Sequence, residues 1–206
     1  MRLLAIDCAT EACSVALFEH GALLGGDYRV LGRGHAEMLV PMIAALPGKG
    51  RADRIAVSLG PGSFTGLRVG LAAARALALA WDARLVGYPT LDLVAAMACH
   101  KLGQRPVDVV MNGGHGEWFA KQFDASGTAL GPVRSLPPTQ ATSALGAELA
   151  AGSRASELVT MRGFGEAIEL WPDARQFQLL PVSTLLEEPA LIYGRGPDAR
   201  LPGVPA

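Results

Sequence analysis

The sequence has few charged residues and no excess of either sign. Charged side chains make up 18% of its 206 residues and the formal net charge is −1, whereas soluble domains average about 25% charged residues. A protein that grips nucleic acid alone usually carries a basic excess, because phosphate neutralisation supplies most of the affinity. The charge balance argues against independent nucleic-acid binding. The low charge indicates either surface covered by another subunit or a compositional drift toward Ala, Gly and Arg.

Few residues are available for metal or nucleophilic chemistry. The three cysteines, Cys8, Cys13 and Cys99, lack the CxxC spacing of zinc and redox sites. The four histidines include no HExxH motif and no pair at ligand spacing, so a zinc peptidase site is unsupported. No Ser/His/Asp or Cys/His set can be assembled from position alone. We therefore expect reduced thiols, no metal site and no catalytic residue of these classes.

The N-terminus also lacks a long apolar run. The apolar stretch at residues 3–6 ends at Asp7 and is too short for a signal-peptide core or a membrane span. Reduced thiols are the rule in the cytosol. We therefore expect a cytoplasmic protein without a membrane segment.

What is present is a supersecondary unit that occurs twice. In the first half, a predicted strand ends on Asp7 and is followed by a polar loop, a second strand, a turn at Gly21 and a returning strand. In the second half, a predicted strand ends on Asn112, and the same succession reaches a turn at Gly127. The polar residue and the glycine are 14 residues apart in the first half and 15 in the second. This spacing predicts a duplication.

The other apolar patterns predict alternating strands and helices, and hence an α/β fold. Met38, Leu39, Met42, Ile43 and Leu46 recur at helical spacing. The further predicted elements are strands at 55–59, 85–87 and 158–161, a long Ala- and Leu-rich helix after Gly60, and helices at 91–99 and 139–151.

A duplicated unit with an Asp after its first strand is similar to the actin-like ATPase and sugar-kinase fold (ASKHA, ribonuclease H-like). In that fold the first loop contacts phosphate through backbone N–H groups and a Ser or Thr, and Asp7, Thr10 and Ser14 occupy the matching positions. Ala9 stands where working members carry a glycine, and Asn112 where they carry a second acid. Phosphoryl transfer needs a carboxylate for Mg²⁺ and a base. We therefore predict a vestigial phosphate loop, with Asp7 capping its turn.

The segment Gly-Pro-Gly-Ser-Phe-Thr-Gly-Leu-Arg at residues 60–68 invites comparison with a P-loop. The Gly-Lys-Ser/Thr ending is missing, while Ser63 is placed to cap a helix. Gly66, Gly70 and Ala74 then form a stripe almost without side chains, although each glycine inside a helix costs about 1 kcal/mol. Close packing of another backbone offsets this cost. That backbone belongs either to the protein's own sheet or to another subunit.

Seven further motifs occur along the sequence: Ala5-Ile6-Asp7, Thr10 to Leu17, His35-x-Glu37, Leu39-x-Pro41-Met42-Ile43, Gly60 to Leu71, Gly116-Glu117-Trp118-Phe119 and Tyr193-Gly194-Arg195-Gly196-Pro197-Asp198-Ala199. Together they resemble the TsaB (YeaZ) family. The resemblance is close in the first hundred residues and patchy beyond them.

The resemblance implies two actin-like lobes, with 1–100 carrying the partner-binding helices and 101–206 a shortened, degenerate second lobe. The chain would be a non-catalytic scaffold for a TsaD-like catalytic subunit, which transfers threonylcarbamoyl to the adenosine beside the tRNA anticodon. A TsaE-like ATPase completes the family's complex. ATP would be used by the complex, with at most a weak nucleotide contact in this chain. tRNA would be met only through the complex, and no membrane is implied.

The family pairs through helices that here begin near His35 and Ser63, either as a homodimer or with the catalytic subunit. A small-molecule kinase or ATPase of the same fold is the alternative, and it predicts ATP turnover that is lost in Asp7→Ala. The loop Asn112-Gly113-Gly114-His115 departs from the family's Asp-Ala-Arg-Arg, which puts any ligand role of the second lobe in doubt. The predicted partner-binding residues are His35, Met38, Leu39, Met42, Ser63, Gly66, Leu67, Arg68, Gly70, Leu71, Ala74 and Arg75.

Overall fold

The computed structural model describes residues 1–194, and their strands form two five-stranded sheets. The first half of the chain contains strands β1 (Arg2–Asp7), β2 (Ala12–Glu19), β3 (Ala22–Val30), β4 (Arg54–Ser58) and β5 (Arg84–Tyr88), and helices α1 (His35–Ala45), α2 (Phe64–Trp81) and α3 (Thr90–Leu102). The second half contains strands β6 (Val107–Gly114), β7 (Glu117–Phe123), β8 (Arg134–Leu136), β9 (Leu149–Ala151) and β10 (Glu166–Ile168), and helices α4 (Pro138–Ala144) and α5 (Ala155–Arg162).

β1 lies at the centre of the first sheet and is paired on both edges. It runs antiparallel to β2, with Asp7 opposite Ser14, and parallel to β4, with Ile6 opposite Val57. The strand order is β3-β2-β1-β4-β5. Five of the six β1 residues are buried, as expected of a strand covered on both faces.

The second sheet repeats this arrangement. β6 is central, antiparallel to β7 and parallel to β9, and the strand order is β10-β9-β6-β7-β8. Each sheet thus joins a meander of three strands to two further parallel strands. β8, β9 and β10 have only three residues each. The predicted duplicated actin-like fold with a shortened second lobe is confirmed.

Both faces of the first sheet are covered, one by α1 and α2 and the other by α3 and the C-terminal segment. Because neighbouring residues of a strand point to opposite faces, Leu4 and Ile6 pack with Leu39 of α1 and Leu71 of α2. Leu3 and Ala5 point the other way and pack with side chains of α3 and of the C-terminal segment. α3 also supplies Leu91, Val94 and Ala98 to the core of the second lobe, so it lies between the lobes.

In the second half, one predicted helix is too long and one predicted strand is wrong in type. The helix predicted at 139–151 ends at Ala144, and residues 149–151 form β9, which pairs with β6 and β10. The strand predicted at 158–161 is part of α5, which buries Ala155 and Leu158 and stops at Gly163 with φ 79°. A glycine in the left-handed region is a common helix terminator. Residues 158–161 form a short apolar run typical of a strand, but the burial of Ala155 and Leu158 on one side favours a helix here.

The end of the described chain returns to the first lobe. A 3-10 helix at Ala174–Leu179 places Phe177 against Phe18 and Tyr88, with ring centroids 6.3 and 5.4 Å apart. Leu186 then exchanges two backbone hydrogen bonds with Gly87 of β5. The division into 1–100 and 101–206 stays a prediction, and these contacts cross it. The part of the closing motif at residues 195–199 lies outside the described residues.

Candidate functional site

A cleft of about 980 Å³ lies between the two lobes. The loops after β1 and β6 border it, as does the start of α2, and residues 192–194 form a further wall. Equivalent loops of the duplicated unit therefore meet at one site. The cleft is the place to test the predicted phosphate loop.

Asp7 does not reach the cleft. Its carboxylate is fully buried, and it accepts hydrogen bonds from the Ala9 N–H at 2.9 Å and from the Tyr88 hydroxyl at 3.1 Å. Burial raises the pKa of Asp7 from 3.8 to about 6, although the hydrogen bonds from Ala9, Ser58 and Tyr88 oppose the shift. The Ala9 bond is the turn-capping role that we expected. Asp7 therefore stabilises the loop after β1 and does not contact the cleft.

The other two residues of the predicted phosphate loop are separated by the strand geometry. The Ser14 hydroxyl is buried and accepts from the Ala174 N–H at 2.9 Å, so it faces the C-terminal segment. Thr10 lines the cleft, and its hydroxyl accepts from the Ala12 N–H at 3.2 Å. Of the three predicted residues, only Thr10 borders the site.

The glycines of residues 60–66 serve close contact within the chain. The Ser63 N–H donates to the Ala9 carbonyl at 2.6 Å, and a Cβ added at Gly62 would lie 2.1 Å from the same oxygen. A Cβ added at Gly66 would lie 2.0 Å from the Cys8 carbonyl oxygen. The Ser63 hydroxyl accepts from the Gly66 N–H at 3.3 Å, which confirms the predicted helix cap. The start of α2 therefore rests on the backbone of the first loop.

A metal-bound nucleotide, which the fold family implies, does not fit these residues. Glu11 is the only carboxylate among the described residues that line the cleft, and it accepts from the Asn112 side chain at 3.4 Å. The carbonyl groups of Cys8 and Ala9 are covered by the start of α2. No cluster of three potential ligands occurs within residues 1–194. Mg²⁺ sites in such folds are built from carboxylates and phosphate oxygens, and the second carboxylate is missing here.

The small-residue stripe of α2 packs on the protein's own core. Gly66, Gly70 and Ala74 are all buried, and a Cβ added at Gly70 would lie 3.4 Å from the Cys8 Cβ and 3.7 Å from a Val57 methyl group. The expectation that these three residues contact a partner is therefore corrected. At Gly66 the offsetting backbone is the loop after β1, since a Cβ there would meet the Cys8 carbonyl oxygen.

The other predicted partner-binding residues divide into buried and accessible groups. The His35 ring is buried, with Nε2 3.3 Å from the Ala12 carbonyl oxygen. The Arg68 guanidinium lies 3.4 Å from the Phe64 ring centroid, and Arg75 donates to the Pro189 carbonyl at 3.2 Å. Leu39, Met42, Leu67 and Leu71 are buried, Met38 is half-buried, and Ser63, Arg68 and Arg75 are exposed.

Apart from Glu37, Thr65, Arg68 and Arg75, the outward sides of α1 and α2 are apolar. Val40 of α1 is 60% exposed and Leu79 of α2 is 87% exposed, and the two helices pack side by side. The exposed alanines of the pair are Ala36, Ala44, Ala45, Ala72, Ala76 and Ala80. We call this surface the α1–α2 face. α2 is long and apolar enough to cross a membrane, but its inner side packs on the sheet.

Sequence analysis named α1 and α2 as partner-binding helices but missed their exposed residues Val40 and Leu79, and it missed the aromatic side chains of the cleft. The exposure of Val40 and Leu79 could not be predicted, because both helices are apolar on several sides. Only the packing shows which side is covered. Phe64, Phe119 and Tyr193 are far apart in sequence but all line the cleft. No local pattern brings such residues together, so no sequence signal could have grouped them.

Comparison with known proteins agrees with this geometry. A family model described as "TsaD: tRNA N6-adenosine threonylcarbamoyltransferase" matches residues 29–158. The "tRNA threonylcarbamoyladenosine biosynthesis protein TsaB" of Escherichia coli (strain K12) is 37% identical over 134 residues, which cover 62% of this chain and 58% of that protein. The Haemophilus influenzae protein of the same name is 37% identical over 103 residues, 48% of this chain and 43% of that protein.

The chain spans about half the length of the curated relatives it matches. A solved structure described as "YeaZ from Pseudomonas aeruginosa" superimposes with a TM-score of 0.72 at 28% identity, and covers 85% of this chain and 87% of that one. The TsaD family model covers more than half of the chain, the two curated relatives are TsaB proteins, and the YeaZ structure shares the fold. This chain therefore belongs to the TsaB (YeaZ) family.

Proposed function

We propose that this protein is a non-catalytic accessory subunit that binds and supports a TsaD-like catalytic subunit in tRNA threonylcarbamoyladenosine biosynthesis. The single observation that carries the proposal is the α1–α2 face, an apolar surface on a chain whose relatives are TsaB proteins. Large exposed apolar surfaces on soluble proteins mark interaction sites. The Asp7 carboxylate bonds to Ala9 and Tyr88 and does not reach the cleft. This arrangement favours an accessory role for the chain over a catalytic one.

The occupant that we assign to the α1–α2 face is the TsaD-like subunit. The family model that matches residues 29–158 is that of TsaD. The part of this chain that carries α1 and α2 is therefore similar to a part of the TsaD family. Two related lobes can pair through equivalent helices, because a pseudo-twofold axis places the same surface of each lobe at the interface. Arg68 and Arg75 lie on the exposed side of α2 and supply a charged rim to an apolar centre.

The remaining parts of the proposal concern the wider complex. ATP is consumed by a TsaE-like ATPase and the assembled complex, and this chain supplies no cofactor of its own. tRNA is bound only through the complex, which agrees with the net charge of −1. The same apolar face serves a homodimer when the catalytic subunit is absent. We place the protein in the cytoplasm.

The test is a binding measurement with the TsaD-like protein of the same organism. Leu79→Glu and Val40→Glu place a charge on the α1–α2 face, and each should lower the affinity at least tenfold, a loss of about 1.4 kcal/mol or more. Leu130→Glu is the matched control, because Leu130 is 64% exposed but belongs to the second lobe. Isothermal titration and light scattering measure binding, and circular dichroism checks that each variant is folded.

Four outcomes would contradict the proposal. Unchanged binding of both face variants would assign the partner to another surface. Retention of the wild-type chain on lipid vesicles, lost in Leu79→Glu, would assign the face to a membrane. Unchanged threonylcarbamoyladenosine in tRNA after deletion of the gene would remove the function itself. ATP turnover by the isolated chain, lost in Asp7→Ala, would favour the kinase or ATPase alternative.

A further inference from the structure

The cleft carries an aromatic wall whose residues are open to solvent. Phe64 and Tyr193 are 53% and 54% exposed, and their rings stack at a tilt of 41° with centroids 5.8 Å apart. Phe64 begins α2, and Tyr193 belongs to the C-terminal segment. Phe119 and Met111 line the same cleft from the second lobe but are buried. Stacking on the two exposed rings favours a planar ring.

A positive charge is held beside this wall. The Arg68 guanidinium carbon lies 3.4 Å from the centroid of the Phe64 ring, so the ring fixes its position. Arg68 forms no ion pair within residues 1–194. His115 also lines the cleft, and Glu11 on the opposite loop bonds to Asn112. The local arrangement therefore favours a ligand with an anionic group next to its ring.

The size and the polar rim of the cleft limit the ligand further. Its volume of about 980 Å³ lies within the ~300–1,000 Å³ typical of small-molecule sites. Thr10 and Ser153 offer hydroxyl groups at the rim. The start of α2 covers the carbonyl groups of Cys8 and Ala9, and Glu11 is the only carboxylate among the described residues that line the cleft. The cleft therefore lacks the groups that would hold a metal-chelated triphosphate. We propose that the cleft binds a small ligand made of a planar ring and one anionic group, and that it does so without a metal ion.

This inference goes beyond the proposed function and does not depend on it. Arg68 borders both sites, but the partner assay depends on Val40 and Leu79, whereas Phe64 and Tyr193 belong to the cleft alone. The isolated full-length chain suffices for the ligand test. Loss of partner binding would leave the ligand measurement unaffected. Absence of ligand binding would likewise leave the partner assay intact.

The ligand test is isothermal titration of the full-length protein with five probes. AMP supplies a ring with a phosphate, indole-3-acetate a ring with a carboxylate, adenosine a ring without charge, and inorganic phosphate a charge without a ring. ATP with Mg²⁺ tests the metal-bound nucleotide. We expect AMP or indole-3-acetate to bind in the presence of EDTA, and whichever binds identifies the anionic group. Adenosine and phosphate should each bind at least tenfold more weakly than that probe.

Variants then locate the binding. Phe64→Ala, Tyr193→Ala and Arg68→Gln should each lower the affinity of the binding probe at least tenfold, with circular dichroism unchanged. Phe164→Ala is the matched control, since Phe164 is 43% exposed and has the Arg162 guanidinium 4.4 Å from its ring, but lies outside the cleft. Failure of both ring anions to bind, an equal loss in the control, or tighter binding of ATP that requires Mg²⁺ would overturn the proposal.

Discussion

At the scale of single residues, burial decides what Asp7 does. It stands at the end of the central strand, where the actin-like fold places a carboxylate that serves phosphate chemistry, yet its oxygens bond to Ala9 and Tyr88 inside the lobe. The position is readable from sequence, because a strand followed by an acid is a local pattern. The direction of the side chain depends on Tyr88, which is 81 residues away. The sequence therefore predicted the turn-capping bond to Ala9 but not the bond to Tyr88.

The raised pKa of Asp7 predicts a pH-dependent stability that Asp7→Asn removes. Its folded pKa of about 6 exceeds its ordinary value of 3.8, so its favourable contribution is complete below about pH 4 and is lost as the pH rises through about 6. At about 1.4 kcal/mol per pKa unit, the loss approaches 3 kcal/mol. Asn retains an acceptor for the Ala9 N–H, and Tyr88 also donates to the Ile6 carbonyl at 3.0 Å.

Urea unfolding of the wild type and of Asp7→Asn between pH 4 and pH 8 measures this effect. The free energy of unfolding of the variant should gain on that of the wild type as the pH rises, and then level off above pH 7. Burial also raises the pKa of Asp92 and Asp108. These groups titrate in both proteins, so the difference between the two curves isolates Asp7. Parallel curves would show that Asp7 titrates at its ordinary pKa.

At the scale of elements, α2 combines two glycines with different surroundings. Gly66 sits against the Cys8 carbonyl oxygen, while Gly70 meets side-chain atoms at ordinary contact distance. The stripe itself was predicted from the spacing, but the choice between the protein's own sheet and a partner was not. That choice depends on which element occupies the space next to the helix, and the loop after β1 occupies it.

Alanine substitution should separate the two glycines. Gly66→Ala places a Cβ 2.0 Å from a backbone oxygen, and we expect a loss of stability of about 1–3 kcal/mol from overpacking. Gly70→Ala places its Cβ at 3.4 Å or more, so we expect a neutral change or a gain of up to about 1 kcal/mol from helix propensity. Thermal and urea unfolding measure both. Equal effects of the two substitutions would mean that the helix start does not rest on the first loop.

At the scale of the whole molecule, the C-terminal segment joins the first lobe. Phe177 is buried against Phe18 and Tyr88, and Glu187 pairs with Arg84 and Arg54. The two lobes are also linked by an ion pair of 2.6 Å between Asp92 of α3 and Lys121 of β7. Residues late in the chain therefore stabilise the sheet that carries α1 and α2.

Phe177→Ala tests this coupling. Removal of a buried phenyl ring costs about 3–5 kcal/mol, and the loss should fall on the first lobe although Phe177 lies in the second half of the sequence. Hydrogen exchange should therefore accelerate more in β1 and β2 than in β6 and β7. Phe164→Ala serves as the comparison, because its ring is 43% exposed and should change stability by less than about 1 kcal/mol. Faster exchange in β6 and β7 alone would show that the segment does not support the first sheet.

The sequence by itself determined the duplicated unit, because strands, turns and glycine spacing are local patterns. It also determined the helix cap at Ser63 and the missing second carboxylate at Asn112. Only the tertiary structure decided that Gly66, Gly70 and Ala74 face the core, that Val40 and Leu79 face outward, and that Phe64, Phe119 and Tyr193 share one cleft. These are contacts between distant segments, and which side of an apolar helix is covered depends on what packs against it.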